Sequence, residues 1–260
     1  MKSFKGDFYK ILLKLQNGES FAFNRFSDGE LFILQNKELV LGDNLIKIGN
    51  TERTGPYTKE DHKHFDPKEH SFYRDRLLEA FKYRADNYFK GISCRCCVGD
   101  ENLEWQLDIL DEPHGDEYLT WANLLVNGNY PLFIAEMFPL FTEYKTVYIC
   151  SEKCNLESLD FIVKDFRVGF NAMINDYHKI DEISDWIECN NIKNHLFLFS
   201  ASSFAKMAIH QLYEKHPNNT YMDIGTTINA FIDMSIERVY LGDFWTEKPS
   251  PSDIYKICEW

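Results

Sequence analysis

Residues 196–224, LFLFSASSFAKMAIHQLYEKHPNNTYMDI, decide the fold class. Leu196–Phe199 and Thr220–Ile224 are short apolar runs of strand length, and each runs into a polar or glycine turn. Between them, Ser202–Lys215 sets Phe204, Met207, Ala208 and Leu212 on one helical face, and His216-Pro217-Asn218-Asn219 closes the segment as a turn. A strand, a crossover helix and a second strand of this length predict two parallel neighbours in one sheet. Thr146–Cys150 has the composition of a third buried strand. The class is therefore α/β, with a Rossmann-like, mostly parallel sheet flanked by helices, in a single domain over residues 1–260.

Upstream, Phe8, Ile11, Leu12 and Leu15 fall at helical spacing over 7–16, and Asn17-Gly18 is a suitable stop. Residues 20–26, SFAFNRF, alternate as a strand does, and Ser27-Asp28-Gly29-Glu30 offers an N-cap before Leu31-Phe32-Ile33-Leu34. From Gly42 to His70 the chain is polar and rich in turn residues, which predicts an irregular loop over 42–70, a possible lid. A helix is expected over 71–89, a short strand over the GISCRCCV run at 91–98, and mostly helix from Glu101 to Tyr144, with Pro131 in a first turn.

The 260 residues are 44% hydrophobic and 27% charged, which excludes a disordered chain. A formal charge of −13 argues against a protein whose affinity comes from wrapping nucleic-acid phosphates, so any phosphate must meet a local site or a metal. Lys10 and Lys14 interrupt the N-terminal apolar stretch, so no signal peptide is expected. No apolar run reaches the roughly 18 residues of a membrane span, and the expected location is cytoplasmic. Seven cysteines lack the density of a disulfide scaffold and fit a reducing compartment. Those at 94, 96 and 97 read as small buried hydrophobes of a strand, with no structural zinc.

Two carboxylates, Asp28 and Glu30, follow the first strand, where open α/β sheets bind ligands. Hard oxygen donors of this kind suit Mg²⁺ or Mn²⁺, which neutralises a phosphate leaving group. Arg25 is placed to add a bidentate phosphate contact. Helix capping alone also accounts for Asp28, Gly29 and Glu30. Ser200, Ser202 and Ser203 sit between a strand and a helix, offering hydroxyls and N–H groups to a phosphate or ribose, or simply a cap. Asp223, Gly225 and Thr226 end the next strand on the same rim, and Ser151 ends another. Trp121–Tyr130 concentrates amides and aromatics suited to sugar hydroxyls and faces. Asp61–Asp66, with His62 and His64, reads as a solvated loop.

The string NRFSDGEL at 24–31 resembles the R-F-x-D-G-E signature of GT-D type glycosyltransferases, whose DxE motif serves the metal and the nucleotide-sugar diphosphate. Residues 199–206, FSASSFAK, and 218–225, NNTYMDIG, are similar to that family's late small-residue turn, helix and D-I-G strand end. This chain has Ser202-Ser203 where the family often has Gly and Pro, and Thr226 where it often has His.

The resemblance implies a glycosyltransferase that moves a sugar from a nucleotide diphosphate sugar to a hydroxyl on a glycan or glycoprotein. A UDP-sugar is the implied donor, UDP-glucose first, with Mn²⁺ or Mg²⁺ on Asp28 and Glu30. Asp223 is the candidate for acid/base work or sugar contact, and Arg25, Ser151, Ser200, Ser202, Ser203, Gly225 and Thr226 are candidates for donor binding. The other readings are a metal-dependent hydrolase of phosphoesters or nucleotide sugars, and a non-catalytic carbohydrate-binding domain.

Overall fold

The computed structural model describes residues 4–42, 45–54, 62–111 and 116–246. The chain opens with α1 (Phe4–Gln16), β1 (Ala22–Arg25) and α2 (Asp28–Leu34). Four short strands follow, β2 (Leu39–Gly42), β3 (Leu45–Ile48), β4 (Thr51–Thr54) and β5 (Lys63–Phe65), and then α3 (Ser71–Lys82) and β6 (Tyr88–Ile92). The middle holds α4 (Arg95–Val98), α5 (Asp100–Leu110), β7 (Leu119–Trp121) and the single turn α6 (Tyr130–Leu132), continued by π and 3₁₀ turns to Glu143. The last part comprises β8 (Thr146–Ser151), β9 (Ile162–Val168), α7 (Ala172–Asn175), α8 (Lys179–Cys189), β10 (Leu196–Phe199), α9 (Ser202–Lys215), β11 (Thr220–Asp223) and α10 (Val239–Trp245).

Seven strands form one sheet in the order β7-β6-β1-β11-β10-β8-β9, and every pairing in it is parallel. The expected unit at 196–224 is present, with Phe199 opposite Asp223. Successive residues of the central strands go to opposite faces, as the pleat requires. Ala22, Phe197, Phe199 and Tyr221 join one buried cluster, and Phe23, Leu196, Leu198 and Met222 join the other. Both faces are thus covered, which is why these strands read as unbroken apolar runs. The last strand of the sheet, β11, lies beside the first, β1, so the residues after Arg25 meet those after Met222, almost two hundred positions on.

Three expectations need correction. The stretch 42–70 is not irregular: β2–β5 form a small antiparallel sheet in the order β4-β3-β2-β5. Leu39, Leu41, Ile46 and Phe65 are its buried side, and four strands of three or four residues are too short to show alternation among so many polar neighbours. Residues 43–44 and 55–61 of the expected lid, including Asp61 of the His-containing segment, lie outside the described residues. The strand expected at 91–98 runs instead over Tyr88–Ile92, and Cys96 and Cys97 are exposed on α4, so they are not strand core. The helix expected over 71–89 stops at Lys82 for the same reason: residues 88 and 89 belong to the strand. No described helix is long and apolar enough to cross a membrane.

Candidate functional site

The carboxyl ends of β1, β6, β8, β10 and β11 open into one cleft of about 610 Å³. That is the size of a pocket that encloses a small organic ligand, and it lies where open parallel sheets bind theirs. Arg25, Asp28, Glu30, Ser151, Ser200, Ser202, Ser203, Asp223, Gly225 and Thr226 all line it. Ten candidates from four separate stretches of sequence therefore share one cavity.

At the floor, Asp223 is almost fully buried, and both of its oxygens are taken. Lys206 Nζ donates to Oδ2 at 2.5 Å, Arg25 Nη2 to Oδ1 at 3.4 Å, and the Gly225 amide to Oδ1 at 3.0 Å. Arg25 Nη1 also donates to the Ala122 carbonyl at 3.2 Å, which fixes the guanidinium between two strand ends. A Cβ on Gly225 would lie 2.1 Å from Arg25 Nη2, and the residue sits at φ +54°, so only glycine lets the guanidinium reach Asp223. Asp223 is thus enclosed by cations and positions Arg25 and Lys206. It still borders the cleft, where the sequence reading places it for acid/base work or sugar contact.

The two carboxylates of the D-G-E turn differ in environment. Ser27 is the N-cap of α2, and Asp28, the first helical residue, is exposed on the cleft with Oδ1 accepting from the Gly29 amide. Glu30 is buried. Its Oε1 accepts from Ser203 Oγ at 2.8 Å and Lys63 Nζ at 3.3 Å, and its Oε2 from the Ser27 amide at 3.1 Å. Burial pushes the Glu30 carboxyl up, but Lys63, Lys206 and the two hydrogen bonds outweigh it and hold the group down to about 2. A carboxyl depressed in the folded state adds stability above its ordinary value of 4.5 that disappears as pH falls toward 2. Glu30→Gln is expected to be less stable than the wild type near neutrality by about 3 kcal/mol, with the gap closing between pH 4.5 and 2. Urea unfolding of both proteins at pH 7 and pH 2.5 measures it.

The serine turn is built around these groups. Ser200 Oγ donates to the Gly225 carbonyl at 2.5 Å and accepts from Tyr148 Oη at 2.7 Å, tying β10 to β8 and β11. Ser202 is exposed at φ +51°, a conformation glycine adopts without cost, at the turn where the resembled family often has glycine. Thr226 Oγ1 pairs with Tyr240 Oη at 2.7 Å. Ser151 Oγ accepts from the Lys153 amide at 3.3 Å.

Several cleft residues were not singled out from sequence. Lys206 carried a signal, because a lysine between Phe204 and Met207 on a buried helix face needs a buried counter-charge. Lys63 did not, since it lies in a polar stretch. Together with Lys153 and Arg238, the cleft carries five Lys or Arg against four Asp or Glu, so a chain of net charge −13 gathers an excess of cations here. Phe170, 42% exposed, adds an aromatic face with Lys153 Nζ 4.2 Å above its ring. In the 121–130 segment, Trp121 and Tyr130 are buried and form no sugar platform, whereas Asn123 and Asn127 do reach the cleft. His62 lines the cleft and His64 faces outward on β5.

The fold has a counterpart among solved structures. A selenomethionine-substituted structure of domain of unknown function 1792 matches over 85% of this chain and 77% of that one, with a TM-score of 0.52 and 15% identity. The likeness is one of fold. A second structure of the same domain, described as having a distinct glycosyltransferase fold, matches at TM-score 0.49 and 15% identity over 85% of this chain and 77% of that one. A third, a glycosyltransferase of this domain type from Streptococcus sanguinis, gives 0.48 and 16% over 85% and 80%. No protein-family model matches the sequence, and no curated protein is significantly similar to it.

Proposed function

We propose that this chain is a glycosyltransferase that uses a nucleotide diphosphate sugar, with a UDP-sugar as the first donor to test and a hydroxyl of a glycan or glycoprotein as acceptor. The observation that carries the reading is the pairing of an exposed carboxylate, Asp28, and a buried ionised one, Glu30, with the cations Arg25, Lys63 and Lys206 at the strand ends. A diphosphate leaving group gains negative charge as the glycosidic bond breaks, and fixed cations in a partly dry cleft stabilise that charge.

The residues present fit a hard divalent ion, Mn²⁺ or Mg²⁺. Asp28 offers a carboxylate to the cleft, and Glu30, held down to about 2, is ionised near neutrality and needs to lose no proton to bind one. Such an ion, held by Asp28 and Glu30 together with the diphosphate, would supply charge neutralisation of the leaving group. Lys63 also donates to Glu30 Oε1. Arg25, held by Asp223 and the Ala122 carbonyl, orients toward phosphate oxygens, and the hydroxyls of Ser202 and Thr226 face the same space. Phe170 gives the base or sugar ring a face to stack on.

Nucleotide release from a panel of nucleotide sugars with Mn²⁺, with and without candidate glycan acceptors, tests the reading. Acceptor-stimulated release supports transfer. Equal release without acceptor assigns the site to hydrolysis, and binding without release assigns it to carbohydrate recognition.

Lys63 links the small antiparallel sheet to the D-G-E turn, so we extend the proposal to closure of residues 42–70 over the donor, which excludes competing water. Hydrogen exchange is expected to show new protection within 42–70 when UDP and Mn²⁺ bind. Unchanged exchange there, with protection near Asp28 and Ser202, keeps the donor site and removes the lid.

A further inference from the structure

Outside the carboxylate and lysine floor, the described residues hold one compact group of potential metal ligands, Cys94, Cys96 and Cys97. Their sulfurs lie within 4.8 Å of one another: Cys94 Sγ is 2.9 Å from Cys96 Sγ and 3.3 Å from Cys97 Sγ. None of the three is in a disulfide. Cys94 is buried behind the end of β6, while Cys96 and Cys97 are exposed, and Cys97 faces the cleft. The three sulfurs converge on one point although two of the residues are exposed and have solvent to turn into.

A single ion explains the crowding. Zinc takes thiolate sulfur at about 2.3 Å in tetrahedral geometry, which sets sulfurs about 3.8 Å apart, so Cys94 Sγ needs to move from Cys96 Sγ and Cys97 Sγ by less than an ångström each. Cys94 and Cys97 have the two-residue separation common among zinc ligands. The surroundings also suit thiolate. Asn123 Nδ2 donates to Cys97 Sγ at 3.0 Å and lies 3.9 Å from Cys94 Sγ, and amide donors of this kind orient and neutralise metal-bound sulfur.

We propose that Cys94, Cys96 and Cys97 form a three-thiolate site for a borderline-soft ion, Zn²⁺, at the rim of the cleft, with the fourth position open on the solvent side. Binding replaces three S–H bonds by three Zn–S bonds and releases three protons to solvent. The site is separate from the hard oxygen site at Asp28 and Glu30, since soft thiolates and carboxylates select different ions. It would anchor α4 and, through Asn123, one wall of the cleft.

The test uses the full chain, reduced and then loaded with Zn²⁺ alone, passed over a desalting column and assayed by elemental analysis. One zinc per chain is expected in the wild type and in Asp28→Asn and Cys154→Ser, and less than about a tenth of that in Cys96→Ser and Cys97→Ser, whose exposed positions leave folding intact. Co²⁺ substitution should give the sulfur-to-metal charge-transfer absorption of a thiolate site, lost in Cys97→Ser. Wild-type protein that retains no zinc, zinc that survives in both serine variants, or zinc that is lost in Cys154→Ser or Asp28→Asn each overturns the proposal.

Discussion

Asp28→Asn is expected to lower sugar transfer by about 10²–10³-fold, the cost of removing one group that meets developing charge in a transition state. Its stability should stay within about 0.5 kcal/mol of the wild type, because the side chain is exposed and its contact is with the adjacent Gly29 amide. The pairing of a large kinetic loss with an unmoved melting temperature separates a group that serves substrate from one that merely caps a helix. Capping is done by Ser27, with the Ser27 amide held by Glu30, so the alternative explanation for Asp28 is weaker in the folded chain than in the sequence. Transfer rates with a responsive nucleotide sugar, measured beside thermal melts, decide the matter. Full activity in the variant would remove Asp28 from the site.

Asp223→Ala carries the largest expected loss of stability. Arg25 and Lys206 are buried around this carboxylate, and truncating it leaves two charges without their partner, a change that costs about 3–5 kcal/mol. In a chain of this size the melting temperature should fall by about 10 °C. If the cost arises from orphaned cations rather than lost packing, adding Lys206→Met to Asp223→Ala should recover part of it. A double variant as unstable as the sum of the two singles would show that Asp223 is not held in the fold by its cations.

The parallel sheet was legible where strands are buried on both faces. Leu196–Phe199, Thr146–Cys150 and Thr220–Asp223 have no polar interruption, and the helix between two of them shows a clear apolar stripe. What stayed hidden was half-exposed or short. β9, Ile162–Val168, is the sheet's outer strand, with only Val168 buried, so its charges obscure it. β7 has three residues, too few to display a period. The strands β2–β5 pair antiparallel over three or four residues each, and their polar faces dominate the composition.

The site was legible for groups that sit at strand ends beside turns, since Arg25, Asp28, Glu30, Ser200 and Asp223 are placed there by chain direction alone. Its electrostatics were not. That Glu30 is sealed by Lys63, from a separate sheet, and that Asp223 is sealed by Arg25 and Lys206 depends on β11 lying beside β1 and on a strand pairing no local pattern reports. The cysteines show the opposite failure. Their apolar character suggested a strand, but the strand ends at Ile92 and the next turn turns two thiols outward.

Calorimetric titration of UDP into the wild type and Asp28→Asn, with and without Mn²⁺, tests whether Asp28 and the cations beside it form a metal-assisted site for a nucleoside diphosphate. Mn²⁺ is expected to tighten UDP binding to the wild type by at least about tenfold, about 1.4 kcal/mol, and this increment to vanish in Asp28→Asn while the metal-free affinity, carried by Arg25 and the lysines, remains. Wild-type binding that is indifferent to Mn²⁺, or an increment that persists undiminished in Asp28→Asn, would contradict it.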